Sequence, residues 1–267
     1  MRNYLQQLQG VFEKEREAYK LQRKLVWLLL LAPVLIAVGF CVAWFVPVTY
    51  KLALWVSKEN HPAELLTFVF LIFGSVIGGY LAWYLKSKHE KVAIWALYTG
   101  YAIALFVIAM EEISWGQQLL GFETPDAFKE MNEQKEVTLH NLEGIQGNSE
   151  YFHLIFGLGG LIGTYFYLYA LNPMRVPMVL SAFFFTIVAI TSVDLYHDFF
   201  PFEHHTGFFI RRLSEINEML IGFAGFMYVV LSLQKFKFKY ELKNLSFATR
   251  EEAVHPDASK ENVLLGI

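Results

Sequence analysis

The sequence predicts an all-α protein: a polytopic transmembrane bundle of about six membrane-spanning helices with both termini cytoplasmic. Three observations carry this reading. Of the 267 residues, 55% are hydrophobic and 18% are charged, whereas a soluble domain carries about 25% charged residues. The apolar residues collect into six blocks, roughly 25–47, 64–85, 92–112, 151–171, 176–197 and 214–234, each near the roughly 20 residues that a bilayer-spanning helix needs. Basic residues then alternate between the ends of the blocks. Sixteen of the 22 Lys and Arg lie in the N-terminal segment, the 86–91 loop, the 172–175 turn and the C-terminal tail, and the loops 48–63, 113–150 and 198–212 hold the other six. Cytoplasmic loops are the Lys/Arg-rich ones. The chain is therefore expected in the cytoplasmic (inner) membrane, multi-pass, with those three loops on the extracytoplasmic side.

Residues 1–24 are rich in Glu, Lys, Arg and Gln, with Leu5, Leu8 and Phe12 on one stripe at helical spacing. This predicts a cytoplasmic amphipathic helix on the inner leaflet. The first block is too long for the core of a signal peptide and reads as a retained helix. It holds Cys41, the one cysteine of the chain, so no intramolecular disulfide can form. The second block contains Gly74-Ser75-Val76-Ile77-Gly78-Gly79, and the fourth contains Gly157, Gly159, Gly160 and Gly163. Small residues about four apart let helix backbones approach closely in lipid.

The third block should continue through Ser114-Trp115-Gly116-Gln117-Gln118 and stop at Gly121, a typical helix terminator. Thr124-Pro125-Asp126 then reads as a helix start for a short surface helix over 125–135. Before the fifth and sixth helices are joined, 198–212 brings five phenylalanines into one short connection, which suits a loop dipping into the outer interface. The tail opens with Lys235-Phe236-Lys237-Phe238-Lys239-Tyr240, a basic–aromatic alternation attracted to anionic lipid, and after about 244 it reads as loose. Three regions result: segment 1–24, a transmembrane domain 25–234 with outer loop 113–150, and tail 235–267. The basic patches are all juxtamembrane, and no nucleic-acid signature is present.

Candidate chemistry gathers at one depth. An α-helix rises about 1.5 Å per residue, so Lys91 to Glu111, Arg175 to Asp194 and Lys235 to Glu215 each span roughly 30 Å, the thickness of the hydrocarbon core. Acidic residues at that rim are costly unless paired, hydrated or metal-bound. Sixteen of the 25 Asp and Glu, and six of the eight His, fall on the outer side. Glu111 and Glu112 close the third block. Asp194, His197 and Asp198 share one helical face at i, i+3 and i+4, a spacing that suits two ligands of one zinc-like ion or an acid-oriented imidazole. Glu215 and Glu218 repeat the spacing, with Arg211 and Arg212 one turn earlier as ion-pair partners for Glu215. The expected metal ligands are Glu111, His140, Asp194, His197, Glu215 and Glu218. The expected catalytic groups are Glu112, Glu218 and His197, and Trp115, Gln117, Arg211 and Arg212 would contact substrate.

The string Glu111-Glu112-Ile113-Ser114-Trp115-Gly116-Gln117, followed by Leu139-His140-Asn141-Leu142, resembles a family of uncharacterised bacterial polytopic inner-membrane proteins. The resemblance covers about 30 residues and implies location and fold, not an activity. Ser114, Asp194 and His197 also give a loose similarity to the alkaline ceramidase and adiponectin receptor superfamily, but the His-x-x-x-His pair of that superfamily is missing. The expected function is a metal-assisted hydrolase or transferase, using a divalent metal such as zinc, on a lipid or lipid-linked substrate. The alternatives are an accessory subunit binding a membrane-protein partner through its outer face, and a proton- or cation-coupled transporter.

Overall fold

A computed structural model describes residues 10, 12–125, 137–138, 149–169 and 175–254, without the side chains at 118–119, 165–169 and 245–254. The described chain is helical throughout. Its helices are α1 (Arg23–Phe45), α2 (Pro47–Val56), α3 (Pro62–Ser87), α4 (Val92–Glu112), α5 (Ser149–Tyr169), α6 (Ser181–Phe199) and α7 (His204–Val254). Five segments are long and apolar enough to cross a membrane: Arg23–Phe45, Pro62–Ser87, Val92–Glu112, Met178–Phe199 and His204–Asn244. Helix α5 occupies the place of the expected block 151–171.

Local chemistry sets most of the boundaries. Helix α1 stops at Phe45 because Val46, preceding Pro47, takes an extended conformation, which proline imposes on its predecessor. Pro47 and Pro62 open α2 and α3, where the missing N–H costs nothing. Helix α3 carries Glu64 in its first turn and Lys86 in its last, each favourable to the helix dipole.

Helix α7 is the hub, packing on α1, α3, α5 and α6. Helix α3 is wedged between α4 and α7, and small residues make this possible. A Cβ built on Gly74 would lie 3.0 Å from Leu105 and 3.2 Å from the Phe226 backbone, and one on Gly78 would lie 3.2 Å from Ala102. Ser75 Oγ donates to Ala102 O at 2.8 Å across the same seam. Gly157, Gly160 and Gly163 play this part in α5, against Val188, Phe184 and Val176, whereas Gly79 and Gly159 face open space. The largest core cluster joins α1, α6 and α7 through Leu29, Trp44, Phe183, Ile187, Leu220 and Ala224.

Three expectations are corrected. The connection 198–212 is mostly helix, because α7 starts at His204. Phe208 and Phe209 pack on Trp44 with tilted rings at 5.7 and 5.5 Å, so they close the core, while Phe199 and Phe200 remain exposed. The tail does not loosen at 244, since α7 continues to Val254. The described part of the N-terminal segment, helical over 12–18, is folded into the bundle and does not lie apart on a leaflet. Leu5 and Leu8, two of the three residues of its expected stripe, lie outside the described residues, as do His140 and all but Pro125 of the expected surface helix over 125–135.

That N-terminal segment is held by one buried carboxylate. Glu15 is fully buried and accepts the backbone N–H groups of Met178 at 2.5 Å and Val179 at 3.1 Å, satisfying donors of the 3-10 turn Met178–Leu180 that leads into α6 and that have no partner within the turn. Tyr19, also buried, is hydrogen-bonded by Arg175. Burial pushes the Glu15 carboxyl up from 4.5 to about 7, outweighing the two backbone donors and the nearby Arg175 and Lys235. A carboxyl raised by folding favours the docked state while protonated. That contribution, on the order of 3 kcal/mol, is complete below about pH 4.5 and lost as pH rises through about 7. A nitroxide at Lys14→Cys in a Cys41→Ala background should therefore gain mobility between pH 5 and 8, and Glu15→Gln, which cannot ionise but keeps one of the two acceptors, should abolish this pH dependence. Equal mobility of the label at both pH values in the Glu15 protein would remove this carboxyl as the determinant of docking.

Candidate functional site

The helices alternate in direction, which sorts the ionisable groups into an acidic end and a basic end. Glu64 opens α3, Glu111 and Glu112 close α4, Glu150 opens α5, Asp194 lies near the end of α6, and Glu215 and Glu218 lie in the first half of α7. Lys86, Lys91, Arg175 and Lys235 mark the other end of the same helices.

Glu218 is the centre of the acidic end. It lies in the electrostatic field of Glu112, Glu215, Glu64 and Glu150. Glu112 is in turn influenced by Glu64, Glu215 and Glu111. Four helices, α3, α4, α5 and α7, thus converge their carboxylates on one region. Like charges in a poorly hydrated place repel unless they share protons or a cation. A basic group also reaches this region, an imidazole, with His153 Nε2 at 3.7 Å from Glu218 Oε1. This is longer than a direct hydrogen bond and within ion-pair range. One turn before it on α5, Glu150 Oε2 is buried without a hydrogen-bond partner, and so is His153 Nδ1.

Asp194 stands beside this group, at the α6–α7 seam. Its carboxylate accepts from Ser214 and feels Glu150, Asp198 and Arg211. One turn deeper, Asn217 Nδ2 donates to Thr191 Oγ1 at 2.9 Å, and both residues are buried. These two polar links fix the rotation of α7 that presents Glu218 to α5. His197 Nδ1 lies 4.0 Å from Asp198 Oδ1, and its Nε2 would be 2.5 Å from a Cβ on Gly207. The imidazole is tucked against the first turn of α7.

The Glu111–Gln117 string forms a backbone break where the sequence suggested a continuous helix. Helix α4 ends at Glu112, and Ser114, Trp115 and Gly116 take φ values of 48°, 54° and 80°. A left-handed non-glycine residue costs on the order of 1–2 kcal/mol, so the neighbours must enforce it. Trp115 Nε1 donates to Glu111 Oε1 at 2.6 Å. Gln117 donates to Thr124 Oγ1 at 2.6 Å and accepts from Val137 N at 3.0 Å, so both ends of its amide are used in tying down the connection between α4 and α5. Gly121, at φ 66°, ends the single turn Gln117–Leu120, as expected. Arg212 Nη1 donates to Ser57 O at 3.0 Å, anchoring the α2–α3 connection, while Arg211 is exposed.

The structure therefore brings Glu112, Glu215 and Glu218 together, with Asp194 adjoining through Glu150, and places His197 on a different flank. Sequence reasoning omitted Glu64, Glu150 and His153. Glu64 could have been found by the depth rule, since it stands 22 residues, roughly 33 Å, from Lys86 along α3. His153 carries no such signal. Among the described residues no three His, Cys, Asp or Glu side chains are arranged to hold a metal ion, and His140 of the expected ligand set lies outside those residues. Comparison with known proteins finds no matching family model, curated relative or solved structure. The chemistry of the site rests on its own residues.

The Thr191–Asn217 link should behave as a positioning pair. Thr191→Val should cost about 1 kcal/mol by leaving Asn217 Nδ2 unsatisfied, and adding Asn217→Leu should recover most of it. Additive losses in the double variant, read from denaturation in mixed micelles, would mean that the two side chains do not act as a pair.

Proposed function

We propose that this chain is a six-span protein of the cytoplasmic membrane that performs acid–base chemistry on a lipid or lipid-linked substrate at its extracytoplasmic rim. The observation that carries the reading is the His153–Glu218 contact, set among carboxylates contributed by α3, α4, α5 and α7. In hydrolysis or group transfer, His153 takes the proton from the attacking water or hydroxyl, and Glu218 gives one to the leaving oxygen. Glu112 and Glu64 bring further carboxylates to the pair from α4 and α3. Trp115, held by Glu111, and the exposed Phe199 and Phe200 line the approach from the lipid side. Helix α5, with 21 residues and a length of about 31 Å, supplies the sixth span. Orientation rests on the Lys/Arg distribution. A cysteine at Lys135 in the Cys41→Ala background should react with impermeant reagent only from the extracytoplasmic side, and labelling confined to the cytoplasmic side would reverse the topology.

For activity, the purified protein in lipid nanodiscs is incubated with defined phospholipids and the products are followed by mass spectrometry. Glu218→Gln and His153→Gln should each lower turnover at least tenfold, the usual range for a general acid or base, while thermal stability stays close to that of the unmodified protein. Glu215→Gln should do less. If no lipid turns over yet proton flux in proteoliposomes depends on Glu218, the enzyme reading is lost. The second reading, a proton- or cation-coupled carrier, then stands, since mutually influencing carboxylates also suit ion binding.

A further inference from the structure

At the basic end, the seam between α3 and α7 carries lysines seated on aromatic rings and not on carboxylates. Tyr80, Trp83 and Tyr84 line the last turns of α3, and Tyr240 joins them from α7. Tyr80 lies 5.7 Å from Trp83 and 6.4 Å from Tyr84, and Tyr84 lies 5.9 Å from Tyr240 between ring centroids. Lys88 Nζ is 5.7 Å from the Tyr84 centroid and 5.9 Å from that of Tyr240. Lys237 Nζ is 5.2 Å from Tyr80, and Lys86 Nζ is 5.3 Å from Trp95. A ring face attracts an ammonium group without consuming it, so its N–H donors stay available to an anion.

Carboxylates are not what balances this charge. Glu90 is taken by Lys239 and by Tyr240 Oη, the latter at 2.7 Å, and the Lys239 hydrogen bond holds Glu90 below its ordinary range. Among the described residues, Lys86, Lys88 and Lys237 have no carboxylate partner, and all three are exposed. The seam thus presents the uncompensated ammonium groups of Lys88 and Lys237 on one connected column of rings. A concentration of Lys at one membrane face sets topology, but topology alone gives no reason for the lysines of two helices to share that column.

We infer that the α3–α7 seam at the basic end binds the phosphate of an anionic phospholipid, with Lys88 and Lys237 as the two ammonium contacts. The source of the phosphate is lipid and not solute. Tyr80 and Trp83 are exposed at 42% and 62% on the flank of a membrane-length helix, where a glycerol backbone and the first methylenes of its chains would lie against them. Tyr84 and Tyr240 stand at the level of the ammonium groups, and their hydroxyls suit the interface. This site is at the opposite end of the bundle from the acidic cluster and does not depend on any activity there.

The test is native mass spectrometry of the full chain titrated with phosphatidylglycerol or phosphatidylcholine in detergent. Phosphatidylglycerol should be retained preferentially. Lys88→Gln with Lys237→Gln should weaken it about thirty-fold, the conversion of about 1 kcal/mol for each lysine at the surface. Lys88→Arg with Lys237→Arg should restore it, and Lys51→Gln with Lys58→Gln, at the acidic end, should leave it unchanged. Thermal unfolding of every variant is measured alongside, so that a loss with unaltered unfolding reports binding. Equal retention of both lipids, or undiminished phosphatidylglycerol binding by the double Gln variant, would overturn the site. Displacement of the lipid by millimolar inorganic phosphate would overturn the lipid assignment in favour of a soluble anion.

Discussion

The close approach of α3 to α7 is the constraint from which the rest of the bundle follows. It needs Gly74 under Phe226, and Gly222 beside the Thr67 carbonyl, where an added Cβ would sit 3.2 Å from the oxygen. In lipid, helices gain little by hiding apolar surface from one another, so dispersion contacts at short range do the holding. Because α3 lies that close, Glu64 enters the field of Glu218. Because α3 also carries α4 on Ser75 and Gly78, Glu112 arrives from a third helix. One packing seam therefore builds most of the acidic cluster.

The second side of the cluster depends on polar links, which serve a different purpose. Thr191–Asn217 and Asp194–Ser214 tie α6 to α7, and the glycines of α5 let α6 press against it. Any helix pair could be joined by apolar packing, but a hydrogen bond in a low-dielectric seam specifies rotation as well as distance. Rotation is what decides whether Glu218 meets His153 or faces lipid. The strained turn at Ser114–Gly116 works alongside. It ends α4 beside Glu112, and the Trp115 and Gln117 side chains stabilise it through Glu111, Thr124 and Val137. Strain of this sort persists where surrounding contacts over-determine it.

How much of this was legible in the sequence varies with the range of the interaction. The bounds of α4 follow from an apolar run closed by Lys91 at one end and Glu111–Glu112 at the other. The start of α7 was missed because the phenylalanines around 202–209 look like an interfacial loop until Trp44 and Phe40 are present to receive Phe208 and Phe209. The helical break after Glu112 was missed for a similar reason, since Trp115 gains its left-handed conformation from Glu111 and the connection that follows, not from its own preference. The depth rule located Glu112, Asp194 and Glu218 but says nothing about rotation. His197 shares a face with Asp194 in the helix, yet its ring turns to Gly207, and His153 reaches Glu218 from a helix that depth alone could not orient.

The distribution of charge also explains why the N-terminal segment belongs to the bundle. The turn that leads into α6 has backbone N–H groups to satisfy, and at the basic end the nearby side chains, Arg175 and Lys235, are themselves donors. An acceptor has to be imported, and Glu15 is the one that arrives. Its carboxylate is the counterpart, at the basic end, of His153 among the acids: in each case one group of opposite character sits among an excess of the other kind. The consequences differ because the surroundings do. Glu15 has its acceptor capacity engaged by Met178 and Val179, which makes it a structural fastening whose strength follows its protonation. His153 has a buried Nδ1 with no partner among the described residues and a carboxylate 3.7 Å from its Nε2, so neither nitrogen is engaged by a backbone group as the Glu15 oxygens are.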